Sequence, residues 1–242
     1  MSERLLTDAY RAEIDENFAR VREQIVKTGR RDVILLAATK TLSADVINYA
    51  IDNHGLSYVG ENRVQELLAK FDSLHKDGLH IHFIGRLQKN KVKYIVDKVE
   101  LIHSLDSMEL ACEIDKQSKK RGKVMDVLIE VNVGMEESKG GIAPDELPHF
   151  LAELKRFENI RARGMMVIPP PSSDEECKRY FTESRRIFER NFLSDDHSGN
   201  GCMLSMGMSD SYVQAILCGS DIVRIGSSLF GKRSYPEKPT QA

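Results

Sequence analysis

The feature that most restricts the fold is an alternation. Eight short apolar runs, each too short for a helix, are separated by stretches whose apolar residues recur at helical spacing. The runs are Val33 to Ala38, Ser57 to Gly60, His80 to Gly85, Leu101 to Leu105, Val124 to Val133, Ala162 to Ile168, Cys202 to Ser205 and Ile222 to Ile225. Such near-continuous runs suit parallel strands covered on both faces. Helical spacing is clearest at Val64, Leu67, Leu68, Phe71 and Leu74. It recurs at Leu147, Leu151 and Leu154, at Tyr180, Phe181, Ser184, Ile187 and Phe188, and at Tyr212, Val213, Ile216 and Leu217, closed by Gly219. Pro148 fits its helix only in the first turn, so that helix should begin near Asp145. An earlier helix carries Tyr10, Ile14, Phe18, Val21 and Ile25 and stops at Gly29, where a left-handed cap belongs.

Eight strands alternating with helices predict an α/β protein, a single-domain (β/α)8 TIM barrel with an extra N-terminal helix; a doubly wound open sheet is the rival. Residues 1–242 read as that one domain, with 1–30 as the N-terminal helix, loops at Pro169 to Ser173 and Ser194 to Gly201, and 234–242 as a flexible tail. With 35 basic against 37 acidic residues the net charge is -2, so no basic field draws nucleic acid. Arg86, Lys89, Lys91 and Lys93 read as a solvated helix face. Cys112, Cys177, Cys202 and Cys218 show no CxxC spacing, which argues for reduced thiols and a cytoplasmic setting. Met1 to Arg4 opens straight into a charged amphipathic pattern, and no stretch is long enough to span a membrane.

Chemistry concentrates at the ends of the strands. Leu204-Ser205-Met206-Gly207-Met208-Ser209-Asp210 and Val223-Arg224-Ile225-Gly226-Ser227-Ser228 each run from a strand into Gly, Ser and a helix start. Glycine admits close approach of the backbone, and unpaired N–H groups at a helix N-terminus hold anions. Single turns of this kind also serve as plain tight turns and N-caps. Barrels, however, commonly hold phosphate in the loops after strands seven and eight, which is where these two fall. Lys40 ends the first strand, where a sheltered amine suits Schiff-base chemistry with an aldehyde, although taken alone it reads as a solvent-facing loop lysine. Taken across the mouth with the phosphate turns, it suggests a clamp for pyridoxal 5'-phosphate (PLP). Arg224, two residues before Gly226, points to the same face, where a protonated guanidinium would keep a pyridine nitrogen unprotonated; a structural ion pair is the other reading. His80 and His82 share a strand face but lack a third metal ligand at readable spacing, so no metal is expected. Lys139, in Ser138-Lys139-Gly140-Gly141, could bring a second lysine to the mouth, or the segment is a surface turn. Met165, Met166, Met203, Met206 and Met208 are expected to pack the core or the mouth.

These motifs together resemble the YggS/PROSC family of pyridoxal 5'-phosphate homeostasis proteins, which share the barrel of alanine racemase. The likeness rests on Ala38-Thr39-Lys40-Thr41, Gly60-Glu61-Asn62-Arg63-Val64-Gln65-Glu66, His82-Phe83-Ile84-Gly85-Arg86-Leu87-Gln88-Lys89-Asn90-Lys91, Glu137-Ser138-Lys139-Gly140-Gly141-Ile142 and the two C-terminal runs. The resemblance implies that Lys40 carries PLP as a Schiff base. It also implies that Ser205, Gly207, Met208, Ser209, Gly226 and Ser227 surround the phosphate, that Arg224 faces the ring nitrogen and that Asn62 lies nearby. The chain departs from the family at Ile81, where an aromatic is usual, and at Ala38, where serine is common. It implies a holder of PLP in intracellular PLP homeostasis rather than an enzyme, passing the cofactor to PLP-dependent apoenzymes as a monomer or weak homodimer. The alternative is a PLP-dependent amino-acid racemase. Racemisation needs an acid and a base on opposite faces of the cofactor, and barrel racemases draw on a further β domain, whereas Lys40 is the one obvious candidate here. A cofactor-free aldolase-like barrel is a third reading, separated by the colour of the protein.

Overall fold

In a computed structural model, which describes residues 4–136, 140–193 and 201–231, the strands close on themselves. They are β1 (Ile34–Ala38), β2 (Tyr58–Glu61), β3 (His80–Phe83), β4 (Leu101–Leu105), β5 (Met125–Val131), β6 (Ile160–Val167), β7 (Met203–Met208) and β8 (Ile222–Ile225). Every neighbouring pair is parallel, and β1 pairs with β8 from Ile34↔Ile222 to Ala37↔Ile225. That last pairing excludes the open sheet and establishes the barrel.

The helices are α1 (Asp8–Lys27), α2 (Ala44–His54), α3 (Val64–Lys70), α4 (Val92–Ile95), α5 (Met108–Lys120), α6 (Leu147–Leu154), α7 (Asp174–Phe192), α8 (Tyr212–Leu217) and α9 (Ser227–Phe230). Local signals start and stop them. Thr7 caps α1 by accepting from the Tyr10 N–H, Gly29 follows its end at φ +79°, and Ser173 with Glu176 forms a capping box on α7. Pro148 sits in the first turn of α6, as its missing N–H requires. The extra helix α1 closes the chain ends together: the Tyr10 hydroxyl donates to Phe230 O (3.0 Å) and Asn17 Nδ2 to Leu229 O (3.1 Å).

Apolar residues fill two separate spaces. The larger core lies between sheet and helices, with Phe18, Phe83, Phe181 and Phe188 fully enclosed. The barrel interior holds a smaller set, Leu36, Ile84, Leu101, Leu128, Met166 and Ile222. Gly60 faces this interior, where a Cβ would collide with Leu36 and Ile84.

Several boundaries differ from the sequence reading. β7 does not stop at Ser205 but runs through Met208, because Gly207 takes φ +92° and lets the ladder with β8 shift register instead of ending. A Cβ at Gly207 would lie 2.5 Å from the Ala215 Cβ, so only glycine fits. Val124, read as strand, is exposed just before β5. Helices α2 and α5, capped by Ser43 and Ser107, were not marked by the apolar spacing. Lys89 and Lys93 are exposed as expected of a solvated face, and Lys91 is half-buried. Among the described residues no helix is long and apolar enough to cross a membrane. The expected tail at 234–242, residues 194–200 of the second loop, and Ser138 and Lys139 lie outside the described residues.

Candidate functional site

The C-terminal mouth of the barrel gathers most of the residues singled out above. Lys40 is half-buried in the turn that leaves β1. Ala38 pairs with Gly60, so Lys40 and Asn62 each stand two residues beyond that rung, in the segments that leave β1 and β2. Leu36 pairs with Arg224, which sets the Gly226-Ser227 turn on the other flank of Lys40. This corrects one expectation: the glycine-serine turns are beside Lys40 and not across the mouth from it, because barrel closure joins the first strand to the last.

The turn that carries Lys40 is held from below. Lys70, the last residue of α3, is buried and its ammonium reaches Thr39 O (2.9 Å), Leu42 O (3.2 Å) and Glu61 Oε1 (2.8 Å). The Thr39 hydroxyl donates to the same Glu61 oxygen, and the Thr41 N–H donates to Glu66 Oε2 (2.8 Å). Thr41 itself stands at φ +67°, a left-handed conformation that costs a β-branched residue about 1–3 kcal/mol. Burial pushes the Glu61 carboxyl up, while the Lys70 ammonium and the Thr39 hydroxyl pull it back.

The two glycine-serine turns are stitched together by two hydroxyls. Ser209 Oγ accepts from the N–H groups of Gly226 (3.1 Å) and Ser228 (3.3 Å), and the Ser228 hydroxyl donates to Ser209 O (3.1 Å). Met208, exposed at the rim, donates its N–H to Ser211 Oγ (3.2 Å), and Ser227 is exposed beside it. The Ser209 oxygen thus takes two N–H groups of the β8 turn and fixes that turn against the end of β7. The helices that follow are short, six residues in α8 and four in α9, so N–H groups and hydroxyls carry any affinity here and helix dipoles contribute little.

Under the mouth runs a polar chain. Arg224 is buried and donates through Nη1 to Ser205 O (3.0 Å) and Ser205 Oγ (2.7 Å), and through Nη2 to Val167 O (3.0 Å). Ser205 Oγ also meets His103 Nδ1 (3.1 Å), and His103 Nε2 meets His82 Nδ1 (3.0 Å). Arginine can only donate, so Ser205 Oγ accepts from it, and the arrangement that also uses the serine's own O–H has that hydroxyl donating to His103 Nδ1 and His103 Nε2–H donating to His82 Nδ1. Both imidazoles must then be neutral. Burial agrees, pushing His82 down to about 3 and His103 well below its ordinary range, the latter helped by His82 and Arg224. Burial also lowers Arg224, to about 10, against the opposing charge of Glu130, so the guanidinium is still charged at neutral pH.

Ser205 is therefore separated from the other residues of its motif. It is enclosed in the barrel with its hydroxyl committed to Arg224 and His103, below the turn formed by Met208, Ser209, Gly226 and Ser227. Arg224 makes no ion pair among the described residues; its hydrogen bonds run to Ser205 and to a strand carbonyl. Sequence reading missed His103, Glu61, Lys70 and Glu130. The last is a largely buried carboxyl raised by burial and by Asp106, and pulled back by the charges of Arg224 and Arg86. Its period-two alternation with Leu128 on β5 could have marked it as inward-facing. No group of metal-ligating side chains occurs among the described residues, and the four cysteines are free.

A family model described as the N-terminal domain of alanine racemase matches residues 10–234. A relative from Aquifex aeolicus (strain VF5), a pyridoxal phosphate homeostasis protein, is 45% identical over 227 residues, covering 91% of this chain and 98% of its own. The solved structure of PipY from Synechococcus elongatus PCC7942 with PLP bound matches at TM-score 0.79 and 32% identity, over 90% of this chain and 100% of that one. Alanine racemase from Corynebacterium glutamicum shares the fold at TM-score 0.69 and 15% identity, over 94% of this chain and 63% of its own.

Proposed function

Because the chain belongs to the pyridoxal phosphate homeostasis proteins of the alanine racemase N-terminal domain family, we propose that it binds PLP at the barrel mouth and serves in the homeostasis of that cofactor. The observation that carries this reading is the barrel register, with Lys40 between Asn62 and the Gly226-Ser227 turn and with Arg224 in the interior below. When bound, PLP supplies an aldehyde that condenses with a lysine amine, losing water, to give a Schiff base; we assign that amine to Lys40.

The residues present fit such a ligand. Asn62 Oδ1 is buried without a hydrogen-bond partner among the described residues, a cost of about 1–3 kcal/mol unless a ligand answers it. The Ser209 hydroxyl joins the two turns through the Gly226 and Ser228 N–H groups, and we assign Gly207, Met208, Ser209, Gly226 and Ser227 to the phosphate. Arg224, held in place by Ser205 and Val167 and charged at neutral pH, presents a group that can only donate to a ring nitrogen and so would keep that nitrogen unprotonated. Such a group weakens the ring as an electron sink, which favours holding the cofactor over turning over amino acids. The relative's name, a homeostasis protein and not a racemase, supports the same choice. PLP-dependent apoenzymes are the recipients in this reading, the chain acts as a monomer or weak homodimer, and its free thiols suit the cytoplasm.

Titration of the protein with PLP should raise a visible absorbance band that Lys40→Ala abolishes, and alanine enantiomers should not interconvert at enzyme-like rates. A protein left colourless by added PLP contradicts the binding reading. Racemisation lost in Lys40→Ala contradicts the non-catalytic one.

A further inference from the structure

We infer that Lys70, acting with Glu61 and Glu66, is a positioning residue that holds the Lys40 turn in its left-handed conformation and thereby sets how readily Lys40 takes the cofactor. The inference rests on the reading of Lys40 given above and adds the device that aims it.

The geometry is specific to that task. Three acceptors, Glu61 Oε1, Thr39 O and Leu42 O, use up the three donors of the Lys70 ammonium, and two of them are the carbonyls that bracket Lys40 and Thr41. Thr39 is tied to β2 a second time through its N–H to Gly60 O (3.0 Å), and Leu42 N–H returns to Thr39 O (3.2 Å). Glu66 holds the Thr41 N–H from the same helix that supplies Lys70. A threonine at positive φ has no local reason to remain there, so the surrounding bonds must enforce it. Only Thr41 and Met135 adopt positive φ among the described non-glycine residues.

A buried ion pair is a poor stabiliser, since removing two charges from water costs about as much as their attraction returns. Glu61 and Lys70 have side chains only 1% and 9% exposed. Their placement under the one turn that carries the nucleophilic lysine points to conformational control. If the pair is lost, the turn relaxes and the fraction of molecules with Lys40 correctly aimed falls. Apparent affinity then falls by that same fraction.

The test compares PLP titrations by visible absorbance, normalised to folded protein by circular dichroism. Lys70→Met should weaken PLP binding roughly tenfold, the effect of a competent fraction near one in ten. Thr41→Gly added to Lys70→Met should restore most of the loss, because glycine takes φ +67° without strain. Glu66→Ala, at a half-buried helix position, should weaken binding roughly threefold by the same population argument and decides the matter if Lys70→Met does not fold. Wild-type affinity and band position in the folded variants would overturn the inference. So would a loss in Lys70→Met that Thr41→Gly leaves untouched, which would make Lys70 a stabilising residue only. Failure of the functional reading itself shows earlier and separately, as wild-type protein that forms no adduct at Lys40.

Discussion

The outer and inner faces of the barrel sheet are built on opposite terms. Outside, between strands and helices, the packing is continuous and apolar, with Phe83, Phe181 and Phe188 enclosed. Inside, six apolar residues share the space with His82, His103, Ser205 and Arg224, joined by hydrogen bonds from one wall to the other. The outer layer stabilises by burying area. The inner layer spends stability on keeping one guanidinium charged, oriented and close to the mouth.

That contrast can be broken by substitution. Phe181→Ala should cost about 3–5 kcal/mol in denaturant unfolding, the transfer and cavity terms of a fully buried aromatic, yet leave the PLP absorbance band of the folded protein in place. A shifted band would mean that the outer packing tunes the site. Arg224→Met should cost less, about 1–3 kcal/mol, from leaving Ser205 and Val167 oxygens without donors. It should displace the band, and an unmoved band would separate Arg224 from the cofactor.

Acid should act chiefly through the inner layer, since the carboxylates held low, such as Glu176 and Asp32, are on the surface. His82 is held neutral, its folded pKa lowered from 6.5 to about 3, and His103 is shifted in the same direction. Below pH 6.5 the unfolded chain takes up protons that the folded barrel refuses. Stability present above that pH is therefore lost as pH falls toward about 3, by about 1.4 kcal/mol per pH unit for His82, and His103 acts in the same direction. Urea midpoints followed downward from neutral pH should show this slope, and His103→Gln should reduce it. An unchanged slope in that variant would mean other groups carry the acid sensitivity.

The same contrast explains what the chain disclosed before its fold was known. The outer layer is periodic, so Val64, Leu67 and Leu74, or Phe181, Ile187 and Phe188, announce their helices directly. Strand ends are legible too, since Lys40, Gly226 and Ser227 interrupt apolar runs at positions a barrel makes meaningful, whereas Asn62 comes only with the family resemblance. The inner chain was not. His82 and His103 lie on different strands and join only through the register of β3 and β4 and the reach of Ser205 from β7. Lys70 looked like an ordinary helix-end lysine, and nothing local says that it turns inward onto Glu61. The resemblance groups Ser205 with the phosphate turn, whereas the extension of β7 past Gly207 leaves it enclosed below that turn.

The central claim is that Lys40 is the residue that takes PLP. Wild-type protein loaded with PLP, reduced with borohydride and digested should yield one modified peptide, with the added pyridoxyl mass on Lys40. A label on a different lysine, or no stable label from a protein that still binds PLP, would contradict the account.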